Sequence, residues 1–270
     1  MGILVRWWLK GLIAFFTTST FAYEPPTQVV IYGDDSYPPY SYHVNGEARG
    51  IYTEILKVVF SQMDGYSIKI KPIPWKRGLK LLELGRGFAL YPPYYYADQR
   101  FFISPYSEPI LDEQVVVFCR QESIQGRKTT KWPEDYFGLT IGINEAFSLG
   151  GEAFWDAVAQ NKILTLSAKG NELSLIALYE KQSDCYINDK LSVLWALEDL
   201  KRSRKVPPNW ELVETAMVSN EQGYLGFTNV DPLTYPYKSD FVAQFNSHLK
   251  RLKQDGTIDK LISDYLSNRH

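Results

Sequence analysis

The sequence predicts an α/β fold with parallel strands covered on both faces and divided between two lobes. Three observations lead there. Strand-like and helix-like segments alternate along most of the chain. The 270 residues, 45% hydrophobic and 15% aromatic, supply enough apolar material for two cores. No Pro/Ser/Gly-rich linker separates two halves. The lobes are therefore not strung in series, and a chain that crosses between them twice and returns fits instead.

The elements follow in order. Residues 29–32 are a short β-rich run. Residues 53–63 carry Ile55, Leu56, Val59, Phe60 and Met63, the apolar stripe of a helix. Residues 66–73 alternate Ile68, Ile70 and Pro72 with lysines, as a half-buried strand does. A helix over 75–84 stops at Gly85. Residues 114–118 are a solid β-branched run, and 139–143 and 163–166 are strands. A helix over 173–179, a strand over 185–188 and a helix over 191–200 come next, then a strand over 224–227. An amphipathic helix, 241–252, ends at Asp255-Gly256, and a last helix covers 258–266. The isolated strands 115–118 and 224–227 are the candidate crossings between lobes.

Residues 1–22 have a different character. Arg6 and Lys10 are their only charges, Leu12 to Phe16 is a short apolar run, and Thr20-Phe21-Ala22 closes it with small residues around a bulky one. This is the pattern of a secretory signal cleaved after Ala22. The rival is a retained anchor. The uncharged run over 11–23 is short for a span and carries Thr17, Thr18, Ser19 and Thr20. Removing two positive charges takes the formal net charge from -2 to -4. Export implies an oxidising compartment for the two cysteines, Cys119 and Cys185.

Composition narrows the function. There is no basic stripe of the kind that binds nucleic acid. His43, His248 and His270 are scattered, with no metal-ligand spacing, so no cofactor is expected. A phosphate-cradling Gly-rich loop and a Gly-x-Ser-x-Gly elbow are both missing. Aromatic and ionic residues in loops stand out instead. Tyr37-Pro38-Pro39-Tyr40 follows one strand, and Tyr91-Pro92-Pro93-Tyr94-Tyr95-Tyr96 follows another. Prolines stiffen such loops, and tyrosines present a flat face with a polar tip, which suits a grip on a small solute. Each tyrosine is equally suited to cap a lobe core. Arg100 follows the second loop, and its fork matches a carboxylate.

Taken in order, these motifs resemble the bacterial family 3 solute-binding proteins over about residues 27–267. The aromatic loop at Tyr37–Tyr40 with Asn45-Gly46 and Gly50, Pro74-Trp75 with Arg77, and Ala97-Asp98-Gln99-Arg100 all look like family segments. So do Tyr106-Ser107-Glu108-Pro109, the aspartates Asp184 and Asp189, the strand at Gly223–Phe227, and Asp255-Gly256-Thr257. The resemblance implies a type II periplasmic-binding-protein-like fold, with two crossing hinge strands and a ligand cleft between the lobes. One lobe would comprise 23–114 and 224–270, the other 115–223. It also implies roles. Arg100 would hold a ligand carboxylate and Asp189 an ammonium group, each charge meeting its opposite. Tyr37 or Tyr40 would stack on the ligand, and Trp75, Tyr94 and Ser148 would complete the site. Asp189 equally reads as the N-cap of the helix that follows, and Trp75 as a core residue.

The implied protein is a periplasmic monomer that binds an amino acid or related zwitterion. Its partner would be an inner-membrane ABC permease or a membrane sensor. An enzyme on the same fold, resembling cyclohexadienyl dehydratases, is the alternative, with Glu54, Glu108 or Asp189 as its general acid. A partner-binding domain that has lost its ligand is a third reading. It is motivated by Ala97 where the family has Thr, Phe88 where Asp often stands, and Ala146-Phe147 near a usual Gly-Thr pair, with Ser148 as a substitute. In these folds Cys119 and Cys185 fall on neighbouring strands away from the cleft. Two buried thiols are the expectation there, and a bridge is the alternative.

Overall fold

A computed structural model describes residues 25–230 and 233–267, and the expected signal peptide lies outside them. The strands are β1 (Thr27–Asp34), β2 (Ser36–Tyr37), β3 (Ser41–Val44), β4 (Glu47–Arg49), β5 (Tyr66–Ile73), β6 (Ala89–Tyr91) and β7 (Ile103–Tyr106). They continue with β8 (Leu111–Cys119), β9 (Thr140–Asn144), β10 (Leu164–Ala168), β11 (Cys185–Asp189), β12 (Val213–Gly223) and β13 (Gly226–Thr228). The helices are α1 (Ile51–Phe60), α2 (Trp75–Glu83), α3 (Gln121–Ile124), α4 (Glu152–Ala159), α5 (Gly170–Tyr179), α6 (Lys190–Arg202), α7 (Lys238–Gln254) and α8 (Thr257–Ser267). Among the described residues no helix is long and apolar enough to cross a membrane.

Two five-stranded sheets carry the two lobes, in the orders β5-β1-β6-β13-β7 and β10-β9-β11-β8-β12. In the first, β1 is parallel to β5 and β6, and β13 is antiparallel to β6 and β7. In the second, β9 is parallel to β10 and β11, while β8 runs antiparallel to β11 and β12. Both sheets are thus mixed rather than fully parallel. A separate hairpin-like sheet, β2-β3-β4, sits beside the first lobe.

Helices pack where their apolar stripes require. The α1 stripe, Ile51, Ile55, Leu56 and Val59, is fully buried in the first core with Phe241, Phe245 and Leu249 of α7. Gly50 precedes α1 at φ 115°, and a Cβ there would meet the Tyr40 carbonyl oxygen at 2.3 Å. Only glycine lets the aromatic loop lie against the helix start. In the second lobe one face of the sheet buries Ile141, Phe154 and Ile187, and the other buries Tyr186, Val193 and Leu197.

The crossing strands differ from the expected ones. β8 begins at Leu111 and pairs from Leu111↔Gly223 to Cys119↔Val213 with β12, a strand absent from the sequence reading. The expected strand 224–227 already belongs in part to β13 of the first sheet. β12 is an edge strand with half-exposed polar residues, so it has no apolar run to betray it.

The expectation of two buried thiols is corrected: Cys119 and Cys185 form a disulfide. The reason is register. The two residues sit directly opposite each other on antiparallel β8 and β11, and both are fully buried. A shift of one residue would have turned one sulfur to the other face of the sheet.

The bridge closes a separation of 66 residues within the second lobe. Replacing both cysteines by alanine is expected to lower stability by about 2–4 kcal/mol through a less constrained unfolded chain. Urea unfolding of the double variant against the oxidised protein checks this. Thiols that label freely in the denatured, unreduced protein would sink it.

Candidate functional site

The carboxyl ends of the parallel strands in both sheets face one cleft, the usual place for a ligand in open α/β sheets. β1 ends at Asp34 and leads into Tyr37; β6 ends at Tyr91 and leads into Pro92 and Tyr94. From the other lobe, β9 ends at Asn144 and leads into Phe147, Ser148 and Leu149. Asp34, Tyr37, Pro92, Tyr94, Phe147, Ser148 and Leu149, with Trp75, Tyr96 and Arg100, line a small cavity that is partly open to solvent.

Arg100 is the charged centre of this cavity. It is only 6% exposed, and its guanidinium lies 5.2 Å from the Tyr96 ring centroid and 5.6 Å from that of Trp75. Stacking between aromatic faces suits the planar cation. No described carboxylate is ion-paired with it. Glu221 acts on it from a distance and bonds the Tyr96 hydroxyl. Burial pulls the Arg100 pKa down from its ordinary value, because the cation is desolvated. A buried cation in this setting is complete only with an anion beside it. The Trp75 indole N–H, also buried, has no hydrogen-bond partner.

Behind the cavity stands a second group, which the sequence reading did not single out. Glu113, at 2% exposure on crossing strand β8, accepts hydrogen bonds at Oε2 from the hydroxyls of Tyr37 and Tyr94, each at 2.5 Å. Its Oε1 accepts the Tyr52 hydroxyl. Burial pushes its pKa up to about 8, with Asp189 adding repulsion and the three phenols opposing the rise. Nothing in the local sequence signals this. Glu113 is one of two acids at the start of a β-branched run, and its partners come from three distant segments.

The sequence-derived residues therefore separate into two sets. Arg100, Tyr37, Trp75, Tyr94 and Ser148 meet around the cavity. Tyr40 and Asp189 do not line it. The Asp189 carboxylate accepts the Ser192 N–H at 2.8 Å, capping α6, and the Gln114 N–H at 3.1 Å. It also takes the Tyr40 hydroxyl, and its pKa is raised to about 6 by burial. The geometry matches the N-cap reading of Asp189. The expected general acids Glu54 and Glu108 also lie outside the cavity; Glu54 pairs with Lys57 on the outer face of α1. Asp34, Tyr96, Phe147 and Leu149 are cavity residues that sequence reasoning missed as such. Asp34 is the carboxyl that lines it, with a pKa raised to about 7 chiefly by burial.

The lobes touch across the cleft mouth. Lys169 pairs with Asp35 at 3.3 Å, Lys76 with Glu145 at 3.3 Å, and Ser192 Oγ donates to the Pro38 carbonyl at 2.9 Å. The Phe147 ring meets Tyr37 edge-on at 5.7 Å and Trp75 at 6.2 Å. The structure is thus that of a closed cleft.

Residues 29–268 match the family described as bacterial extracellular solute-binding proteins, family 3. No curated protein matches the sequence at a significant level. Solved structures do. A histidine kinase sensor domain with similarity to periplasmic binding proteins superposes with a TM-score of 0.73 at 16% identity, covering 89% of this chain and 96% of that one. A structure concerned with glutathione import via GshT and the cystine ABC importer TcyBC of Streptococcus mutans gives 0.71 at 18%, covering 90% and 95%. The ancestral amino acid-binding protein AncCDT-1, a precursor of cyclohexadienyl dehydratase, gives 0.65 at 16%, covering 88% and 95%. At such identities the likeness is one of fold.

The buried carboxyls make stability depend on pH. Glu113, Asp34 and Asp189 hold their protons in the folded state to about pH 8, 7 and 6, against ordinary values of 4.5, 3.8 and 3.8. Between those limits the folded protein binds more protons than the unfolded chain. The contribution of these three groups to stability is therefore full below about pH 4, falls as pH rises, and levels off above about pH 8. Glu113→Gln is expected to flatten the upper part of this fall. Unfolding curves at pH 5, 6.5 and 8 for both proteins check it, and an unchanged slope would refute the assignment to Glu113.

Proposed function

Because the chain belongs to the bacterial extracellular solute-binding proteins of family 3, we propose that it captures a small carboxylate-bearing solute in the cleft between its lobes. Capture takes place in the periplasm, and the closed complex is presented to a membrane-embedded importer or sensor. The observation that carries the reading is Arg100, a buried guanidinium stacked on Tyr96 and Trp75 at the cavity with no described ion-pair partner.

Closure follows from charge. In an open cleft Arg100 is hydrated; closing the lobes strips that water and is unfavourable without a counter-ion. A carboxylate carried in by the solute offsets the loss with a charge-assisted, two-pronged bond. The cross-cleft pair Lys76–Glu145 is solvent-exposed and worth roughly 0–1 kcal/mol, and in Lys169–Asp35 the lysine remains half-exposed, so these two pairs are weak holds on the lobes. Closure is then conditional on ligand, which is what a downstream partner needs to recognise.

One observation favours a second reading, an enzyme. Asp34 lines the cavity with a pKa raised to about 7, so it holds a proton to donate near neutral pH. Turnover of prephenate or arogenate, lost in Asp34→Asn, decides for it; intact substrate after prolonged incubation decides against.

For the binding reading, a thermal-melt panel of small carboxylates is expected to contain a stabilising compound. At a hundredfold excess over its Kd such a ligand adds about 2.7 kcal/mol. Arg100→Ala should abolish the shift, and Arg100→Lys, which keeps the charge but not the fork, should weaken it. A shift of equal size in Arg100→Ala would overturn the assignment.

A further inference from the structure

We propose that Phe147 is a built-in plug. Its ring fills the aromatic part of the cleft, so the solute is a short carboxylate with no bulky side chain. The inference rests on the cleft-binding reading and narrows it by size.

Phe147 belongs to the second lobe but packs against the first. Its ring meets Tyr37 edge-on at 5.7 Å and Trp75 at 6.2 Å, and it packs on the buried clusters of both lobes. Tyr37 and Trp75 are the aromatic faces that would grip a ring carried by a solute. Phe147 also lines two small cavities of the cleft. One includes Arg100 and Tyr96, the other Lys76, Asn144 and Lys169, and the two share Asp34 and Trp75. The Phe147 ring therefore stands between them. Their volumes are about 20 and 30 Å³, room for about one or two waters each. A cavity that takes a benzene ring is on the order of 150 Å³. A short carboxylate needs little room beside Arg100, whereas a ring needs the space that Phe147 already occupies.

The ring is held in place by its own turn. Ala146 lies at φ 62°, in the left-handed region that residues with a Cβ rarely adopt. The turn is closed by the Phe147 N–H, which donates to the Asn144 carbonyl at 3.0 Å. The Glu145 N–H donates to the Ala168 carbonyl at 2.9 Å and ties the same turn to the end of β10. Asn144 is itself fixed by buried bonds. Its Oδ1 accepts the hydroxyls of Ser174 and Tyr186, and its amide nitrogen donates to Asn171. The Phe147 backbone cannot move away without breaking these bonds, and each would leave a polar group unsatisfied. A bulky solute thus meets a fixed ring rather than an open pocket.

Calorimetric titration of the exported protein at pH 7 tests this with four probes. Acetate and glycine are short; 3-phenylpropanoate and phenylalanine are their ring-bearing counterparts, without and with an ammonium group. The wild-type protein is expected to bind neither ring-bearing probe more tightly than its short counterpart. In Phe147→Ala the vacated space beside Tyr37 and Trp75 should admit the ring. At least one ring-bearing probe should then bind about tenfold or more tighter than in the wild type. Phe147→Leu should move the same way by less, and it decides the matter if ligand-free melts show that the alanine variant does not fold. A ring-bearing probe that binds the wild type more tightly than its short counterpart, or no gain in a folded variant, would overturn the plug. Either result leaves the cleft reading standing where a carboxylate stabilises the wild type and not Arg100→Ala. Adding Arg100→Ala to Phe147→Ala should abolish the gain. A gain that survives there would overturn Arg100 as the anchor, and with it the cleft reading, while the plug stands.

Discussion

The cleft is organised around one buried carboxyl. Glu113 sits on the strand that carries the chain from the first lobe to the second, and it gathers three hydroxyls from separate parts of the first lobe. Tyr37 comes from β2, Tyr52 from α1, and Tyr94 from the segment after β6. Two of these also form the cavity wall. The hinge strand and the binding surface are therefore one bonded unit. Gly223, on the other crossing strand, keeps the arrangement possible, because a Cβ there would run into the Tyr52 hydroxyl. A carboxyl with three phenolic donors and no cation can remain buried only because its negative charge is either hydrogen-bonded throughout or neutralised by a proton.

This placement divides the charges of the cleft. Asp34 lines the cavity, while Glu113 and Asp189 are held behind the aromatic layer, in the hinge and at the α6 cap, where they serve the fold. The arginine is held in front of it, between Trp75 and Tyr96, where nothing in the described chain neutralises it. The surface pairs at the cleft mouth then guide the lobes into register without deciding the equilibrium. On the proposed reading that decision falls to the solute that meets Arg100. A receptor must couple closure to occupancy, and an internal counter-ion for Arg100 would uncouple them.

Much of this was legible in the sequence. Periodicity located the long helices and buried strands, because burial on one face imposes a 3.6-residue or two-residue repeat. Arg100, Tyr37, Trp75 and Tyr94 were found through their setting in stiff aromatic loops and helix starts. What escaped depends on partners far away in the chain. Glu113 has no motif, since its environment is made by residues 19 to 76 positions distant. β12 escaped because an edge strand needs no apolar run. The disulfide escaped because pairing at Cys119 and Cys185 depends on strand register, which sequence leaves free. Asp189 shows how one residue can carry two readings: its spacing from Asp184 resembles a ligand-binding pair, and its carboxylate also caps the α6 N-terminus.

The second lobe adds a rigid body for the hinge to move. The disulfide ties β8 to β11, and a buried polar network joins the ends of β9 and β11 to α5 and α6. Asn171 lies at its centre. Its Oδ1 accepts from Asn144, Tyr186 and Asn188 at 3.0, 2.9 and 2.7 Å, and its amide nitrogen donates to Ser192. Such a network is costly to disturb, since each lost partner leaves a buried polar atom unsatisfied. Ser192 is also the residue that reaches across the cleft to the Pro38 carbonyl, within the proline-stiffened loop that carries Tyr37. A rigid lobe bonded to a stiff loop leaves little room for local adjustment.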